Sequence, residues 1–537
     1  MKHVWILCAC AASVWCQAPD QRIVPYQRGV PYGRILGAAS EPGSWLTYSG
    51  DYLGHRYSAL NQIDRTNVSR LKLAWMYQTN DLNQFETTPL VVDGVMYISE
   101  PPSHASALDL RTGRPIWMFR RTIPSDVKAC CGQVNRGLAI LDNTVYLATL
   151  DAHLLALDAK TGHLLWDTVV ADYKAGYSIT VAPLALQDKV VVGMAGGEYG
   201  VRGFLDAYDA KTGKRAWRFW TVPGPGEAGH ETWLGDSWKL GAATTWVTGV
   251  YDPALNLIYW GTGNPGPDYD GDVRRGEDLY ADSVIALDAA SGKLKWHFQF
   301  TPHDTHDWDS TQTPILVDGT FRGAPRKLLA VANRNGFLYV LDRESGEFLT
   351  GKPFAKETWA KGLDDRGRPV LVAGMDPTPE GSVTYPGVHG GTNWFSQSYS
   401  PATGLMYVAM REEGTTFYRA TAEFKTGNIY TAGGIHGLPG VEPSGAIEAL
   451  DPATAEKKWE FPLHSPPWAG LLSTAGGLVF GGTNEGNLFA LDAVSGKPLW
   501  DFQAGAPAQG NPISYEFNGK QYIAMTAGRA LMVFGVE

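Results

Sequence analysis

Two adjacent cysteines, Cys130-Cys131 in ACCGQVNRG, have the most unusual chemistry open to any side chains here. A disulfide ordinarily spans Cα atoms about 4.4–6.8 Å apart, whereas a trans peptide holds neighbours at about 3.8 Å, so a bond between these two closes a small strained ring. Strain of that kind persists where the surroundings hold it, often at functional sites. On residue type alone, a pair of free or buried thiols is the simpler reading. A second group, His303, Asp304 and His306 in HDTHDWDSTQ, has the residue types of a zinc or copper site. Two histidines three apart with no third nitrogen or sulfur donor are a poor transition-metal set, and their oxygen-rich surroundings favour a hard ion. Gly224 to Gly229 fits the G-x-G-x-x-G spacing, yet HETWLGDSW follows it instead of an apolar helix, so nicotinamide binding is not expected. No G-x-S-x-G nucleophile elbow occurs, and no C-x-x-C-H, so no covalent c-type haem is expected.

The frame that must carry such residues is legible as a repeat. ALDLRTGRPIW, from Ala107, returns as ALDAKTGHLLW (Ala156), AYDAKTGKRAW (Ala207), ALDAASGKLKW (Ala286), ALDPATAEKKW (Ala449) and ALDAVSGKPLW (Ala490), with a weaker copy, VLDRESGEFLT, from Val340. The first three lie about fifty residues apart, the length of four short strands. Each copy reads as strand, turn, strand: apolar residues lead to an Asp, T-G or S-G makes the turn, and the next strand ends in Trp. One such sheet cannot cover both its faces, but sheets set radially around an axis cover one another. The Trp is then a wedge between neighbouring sheets. Adding the degenerate stretches VYDPALNLIYW (from Val250) and SYSPATGLMYV (from Ser398) and shared terminal strands predicts an all-β, eight-bladed β-propeller.

Composition agrees, with 62 Gly, 33 Pro and 19 Trp among 537 residues and short Val/Ile/Leu/Tyr runs between turn signals. No linker or charge block divides the chain, so a single propeller domain is expected over 19–537. A net charge of -10 without a basic patch argues against nucleic-acid binding. The start, MKHVWILCACAASVWCQA, predicts an export signal over residues 1–18, with the cleavage position open. No other apolar stretch approaches ~18 residues, so no transmembrane segment is expected. Removing the signal takes away Cys8, Cys10 and Cys16 and leaves Cys130 and Cys131 as a pair in an oxidising compartment, where a bond between them becomes plausible.

The A-x-D-x-x-T-G-x-x-x-W repeat, the vicinal cysteines followed by N-R-G, and GTGNPGP together resemble the pyrroloquinoline quinone (PQQ) alcohol dehydrogenases, the quinoproteins that include methanol and ethanol dehydrogenases. The resemblance implies a Cys130-Cys131 disulfide on one face of the quinone and Trp246, in TTWVTG, on the other. It implies that Glu86, Arg136, Thr180, Gly196, Gly197 and Thr244 meet the cofactor's carboxylates and ring edges. Arg136 would pair with carboxylate, and the glycines would allow close approach. Arg334 in ANRNGFLYVLDR matches the arginine on the reactive quinone oxygen, and Asn393, Trp394 and Trp468 match further pocket residues.

The same resemblance implies a metal held by Glu198 in GGEYGVRG, Asn264 in GTGNPGP and Asp307, with Asp307 also the catalytic base. Asp309 stands where calcium-using relatives carry Ala, Ser or Thr. In an extended backbone residues i and i+2 face one side, so Asp307 and Asp309 are expected to address one ion. Three carboxylates balance a trivalent cation, which points to a lanthanide with calcium as the alternative. The expected reaction is metal-assisted oxidation of primary or secondary alcohols, by hydride transfer to PQQ after Asp307 takes the hydroxyl proton and with Arg334 stabilising the developing oxyanion. Electrons would pass to a soluble periplasmic cytochrome c, and a homodimer is compatible with these features. A PQQ sugar or aldose dehydrogenase and a cofactor-free propeller scaffold of the outer-membrane assembly type are the alternatives. The loops from Lys361 to His389 and from Arg411 to Ser444 are expected to set substrate size.

Overall fold

The computed structural model describes residues 29–536; the expected export signal with its three cysteines lies outside the described residues. Among the described residues nearly all regular structure is strand, with one five-residue α-helix, Tyr32–Leu36. Six antiparallel four-stranded meanders, here blades 1 to 6, cover 90–119, 139–169, 184–220, 250–299, 315–353 and 398–463. Blade 7 covers 472–503 and gains Tyr57–Ser58 in parallel beside Leu472–Thr474. Blade 8 takes three strands from 513–536 and its fourth, Leu71–Gln78, from the other end of the chain. Eight blades are thus present, and strand pairing between distant segments closes the ring.

The two degenerate stretches are not blades of their own. VYDPALNLIYW forms the first hairpin of blade 4, Val250–Asp252 with Leu257–Gly261, and SYSPATGLMYV opens blade 6 in the same way. The seven A-x-D copies are the third and fourth strands of seven blades, and the shared terminal strands supply the eighth. The weak copy from Val340 carries a whole blade, because turn and strand survive without its Trp.

Burial follows position in the blade. The first and second strands of blade 1, Leu90–Val92 and Val95–Glu100, are buried along their whole length, covered by neighbouring sheets on both faces. Fourth strands such as Pro115–Phe119 meet water and keep mainly the Trp inside. The repeat's Asp secures its turn: Asp158 Oδ1 accepts from the backbone N–H of Lys160 at 3.0 Å and Thr161 at 2.9 Å. The Trp binds the next blade. Nε1 of Trp117 donates to Ala159 O at 2.9 Å, and Trp217 and Trp459 repeat the bond with Ala289 and Ala493.

Among the described residues two small sheets stand outside the blades, one of them the pair Ala360–Leu363 and Pro369–Leu371. Ser382–Thr384, Thr415–Arg419 and Gly433–Gly437 form a separate three-stranded sheet, built from both loops that sequence periodicity could not resolve. Among the described residues no helix is long and apolar enough to cross a membrane.

Candidate active site

Every blade meanders the same way, so the connection entering its first strand and the one joining its second to its third emerge at the same end of the sheet. Residues expected to act together occupy those two connections. Glu86, Arg136, Thr180, Trp246, Trp394 and Trp468 each lie three or four residues before a first strand, and Asp307 and Asp309 precede Ile315–Phe321. Gly196 and Glu198 in blade 3, Asn264 in blade 4 and Arg334 in blade 5 lie between second and third strands. All of them, with Cys130, Cys131, Thr244 and Asn393, line one cavity of about 310 Å³. Gly197 is the exception, standing behind the wall against Ala242 and Thr244.

Cys130 and Cys131 are disulfide-bonded, with Cα atoms 3.8 Å apart. Cys130 Sγ lies 2.9 Å from Glu198 Oε1. A disulfide sulfur carries no proton, so it is not the donor in this contact. Arg136 sits between Trp246 and Trp394, its guanidinium carbon 5.0 and 4.6 Å from their ring centroids, and donates to Thr180 Oγ1 at 2.8 Å. Its Nη2 pairs with Glu86 Oε2 at 2.9 Å, while Arg136 Nε is buried without a hydrogen-bond partner. Burial pushes the Glu86 carboxyl up to about 7 against the pull of Arg136.

The acids lie along the same wall. Arg334 spans two of them, with Nη1 2.5 Å from Asp309 Oδ2 and Nη2 3.4 Å from Asp307 Oδ2. Asn264 donates its backbone N–H to Asp309 Oδ1 at 3.2 Å and its side-chain amide to Asp268 Oδ1 at 3.1 Å. Burial raises the carboxyls of Glu198 (to about 7), Asp268, Asp307 and Asp309; at all four neighbouring carboxylates push the same way, while Arg334 opposes it at Glu198, Asp307 and Asp309. Gly263 is needed here, because a Cβ would stand 2.3 Å from Asp309 Oδ1.

One premise of the sequence reading does not hold. Asp307 lies at φ +60°, in left-handed rather than extended backbone, so alternation does not bring Asp307 and Asp309 to one side. The turn does, by aiming both at Arg334. Nor do the oxygens of Glu198, Asp307 and Asp309 converge within 4.8 Å of one another. Among the described residues, the one His/Cys/Asp/Glu trio that does is Cys130, Cys131 and Glu198, and bonded sulfurs are not thiolate ligands. His303 and His306 are turned to other work, His303 Nδ1 lying 3.2 Å from Asp278 and His306 stacked on Trp308.

Sequence reasoning missed three participants. Asp268, four residues past Asn264 in the run DYDGD, could have been found from that acidic spacing. His389 lines the cavity and is paired with Glu413, but the two come from different loops, and no spacing signals them.

An eight-bladed propeller that gathers a vicinal disulfide, paired tryptophans and a carboxylate wall around one central cavity defines the quinoprotein dehydrogenase class. The chain belongs to the PQQ glucose/ethanol/alcohol dehydrogenase family, whose β-propeller model matches residues 45–353 and 441–523. It is 38% identical to the quinoprotein alcohol dehydrogenase PedH of Pseudomonas putida, over 92% of this chain and 87% of that one. It is 39% identical to the lanthanide-dependent methanol dehydrogenase of Methylacidiphilum fumariolicum strain SolV, over 92% and 86%. The crystal structure of the quinohemoprotein alcohol dehydrogenase from Comamonas testosteroni superposes with a TM-score of 0.90 at 36% identity, covering 94% of this chain and 82% of that one. The chain is therefore an oxidoreductase of the PQQ-dependent alcohol dehydrogenase type, and the cofactor-free scaffold reading falls.

Proposed function

We propose that this enzyme oxidises small primary or secondary alcohols in the periplasm, with PQQ in the central cavity between Cys130-Cys131 and Trp246 and a lanthanide ion on Glu198, Asn264, Asp307 and Asp309. The observation that carries this reading is the cavity. Its volume suits a flat polar cofactor, and Arg136 Nε and Trp394 Nε1 are buried in its lining residues without hydrogen-bond partners. Three carboxylates, Glu198, Asp307 and Asp309, share that region with the Arg334 guanidinium, an oxygen-donor set short of positive charge. When bound, PQQ supplies a two-electron acceptor and the metal ion supplies Lewis acidity.

The chain's own groups do the rest. Asp307 Oδ2 accepts the hydroxyl proton of the alcohol, and Arg334 holds that carboxylate in place while offering N–H donors to developing negative charge. Arg136 binds carboxylate, with Thr180 and Glu86 fixing its guanidinium. Asp309 is the third acid that favours a trivalent ion over calcium, and similarity to a lanthanide-dependent relative supports the same choice. A separate cytochrome c takes the electrons, and the export signal expected over residues 1–18 supports the periplasmic setting.

Purified protein loaded with PQQ and either lanthanum or calcium, and assayed by dye reduction across alcohols, aldehydes and sugars, tests the reading. Alcohol turnover with lanthanum is expected. Asp307→Ala should lower it by at least about a hundredfold, and Asp309→Ala should move the preference toward calcium. Equal activity of the unaltered enzyme with both ions would remove the three-carboxylate argument, and turnover of sugars alone would replace the substrate class.

A further inference from the structure

We propose that His389 is the exit through which protons released in turnover leave the cavity for bulk water. The inference rests on the alcohol-oxidation reading above. Converting an alcohol to an aldehyde breaks one O–H and one C–H bond, forms the second C–O bond, and yields two electrons and two protons. A one-electron protein acceptor removes the electrons in two steps and leaves both protons behind. They must reach water in every cycle, or the base that received the hydroxyl proton is not regenerated.

The carboxylates of the cavity wall are poor exits. The Asp307 and Asp309 side chains are 19% and 8% exposed, and both are engaged by Arg334. His389 lines the same cavity, yet its side chain is 44% exposed, so it bridges the cavity and solvent. Its orientation is set from three sides. Nδ1 lies 3.1 and 3.2 Å from the Glu413 oxygens, Arg411 Nη2 holds that carboxylate at 2.8 Å, and the Trp468 ring meets the imidazole edge-on at 5.6 Å. Burial works against ionisation of Glu413, but His389 and Arg411 together hold its carboxyl down to about 2. An ionised Glu413 accepts the Nδ1 proton, which leaves Nε2 as the lone-pair nitrogen.

The backbone ties this imidazole to the proposed catalytic groups. Arg334 donates from Nε and Nη2 to Val388 O at 3.1 and 2.5 Å, and Asn393 donates to His389 O at 2.9 Å. The charged groups paired at the ring are Glu413 and, through that carboxylate, Arg411.

Two variants and one chemical probe test this. His389→Gln keeps a polar side chain of similar length, and His389→Ala opens room for added imidazole; cofactor content by absorbance shows whether each still loads. Steady-state turnover should fall on the order of tenfold in both. In His389→Ala, added imidazole should restore it, while single-turnover reduction of bound cofactor by alcohol should change far less. In cofactor-free protein, diethyl pyrocarbonate should modify His389 readily at Nε2, and Glu413→Gln should alter that rate by releasing the tautomer. Unchanged turnover in both loaded variants, loss that imidazole does not restore, or a His389 that resists modification overturns the inference. Absence of alcohol-driven cofactor reduction in the unaltered enzyme would instead defeat the alcohol reading, and this inference with it.

Discussion

A buried acid outside the cavity gives a measurable quantity at the scale of one residue. Glu448 has no exposed surface, Lys457 Nζ lies 2.9 Å from its Oε1, and its Oε2 has no hydrogen-bond partner. Burial dominates and pushes the carboxyl up to about 7 despite the lysine. A folded pKa above the unfolded one means that stability is fully present below about 4.5 and is lost as pH rises toward 7. Glu448→Gln should therefore raise the apparent melting temperature at pH 8, by up to about 3 kcal/mol of stability, and do little at pH 4. A lower melting temperature at pH 8 would show that the ion pair with Lys457 outweighs desolvation. Single residues were legible where a motif carried them, as with Cys130, Arg136 and Arg334, because those types at those places have few other uses. His389 and Glu413 were not, since each is an ordinary surface residue until two loops meet.

At the scale of the element, the repeat contains a rule that its consensus only hinted at. The turn glycine of one copy lies beneath the Trp of the copy before it: a Cβ on Gly162 would stand 2.6 Å from Trp117, and Gly113, Gly213, Gly292, Gly346 and Gly496 meet Trp75, Trp166, Trp217, Trp296 and Trp459 in the same way. The copy that ends in Thr350 lacks a Trp, and the next blade's turn then carries Ala455 in place of glycine, at φ +55°. Absence of the wedge removes the need for the missing side chain. Gly162→Ala should cost on the order of 3 kcal/mol, from left-handed backbone at φ +72° plus overlap with indole. Ala455→Gly should be within about 1 kcal/mol of neutral, because relief of backbone strain offsets a more flexible unfolded chain. Denaturant midpoints of the two variants give the comparison; equal losses would break the link between Trp and glycine. The blades were readable because one strand-turn-strand copy recurs seven times. The separate sheet of Ser382–Thr384, Thr415–Arg419 and Gly433–Gly437 was not, since its strands join two loops with no shared period.

For the whole molecule, the question is what keeps a ring of eight similar sheets from opening. Six blades are local in sequence and blade 7 only adds Tyr57–Ser58 to its local meander, but blade 8 takes its outer strand, Leu71–Gln78, from the far end of the chain and pairs it with Ala530–Val536. That strand carries Trp75, which donates from Nε1 to Leu110 O of blade 1 at 2.9 Å and covers Gly113. Arg56, fully buried, adds a second clasp: it donates to Tyr48 O and Pro512 O at 2.6 Å each and to Leu471 O at 3.2 Å, joining the entering segment to blades 7 and 8. Cavity residues come from blades 1 to 6 and from the segment leading into blade 7, so their spacing depends on closure around the ring. Trp75→Ala and Trp166→Ala remove the same wedge at different places. Both should cost about 3 kcal/mol locally, but only Trp75→Ala weakens the seam. It should therefore expose the 59–78 segment to limited proteolysis and weaken PQQ binding, while Trp166→Ala leaves both near the unaltered protein. Identical cleavage and PQQ affinity in the two variants would mean that closure does not depend on this strand.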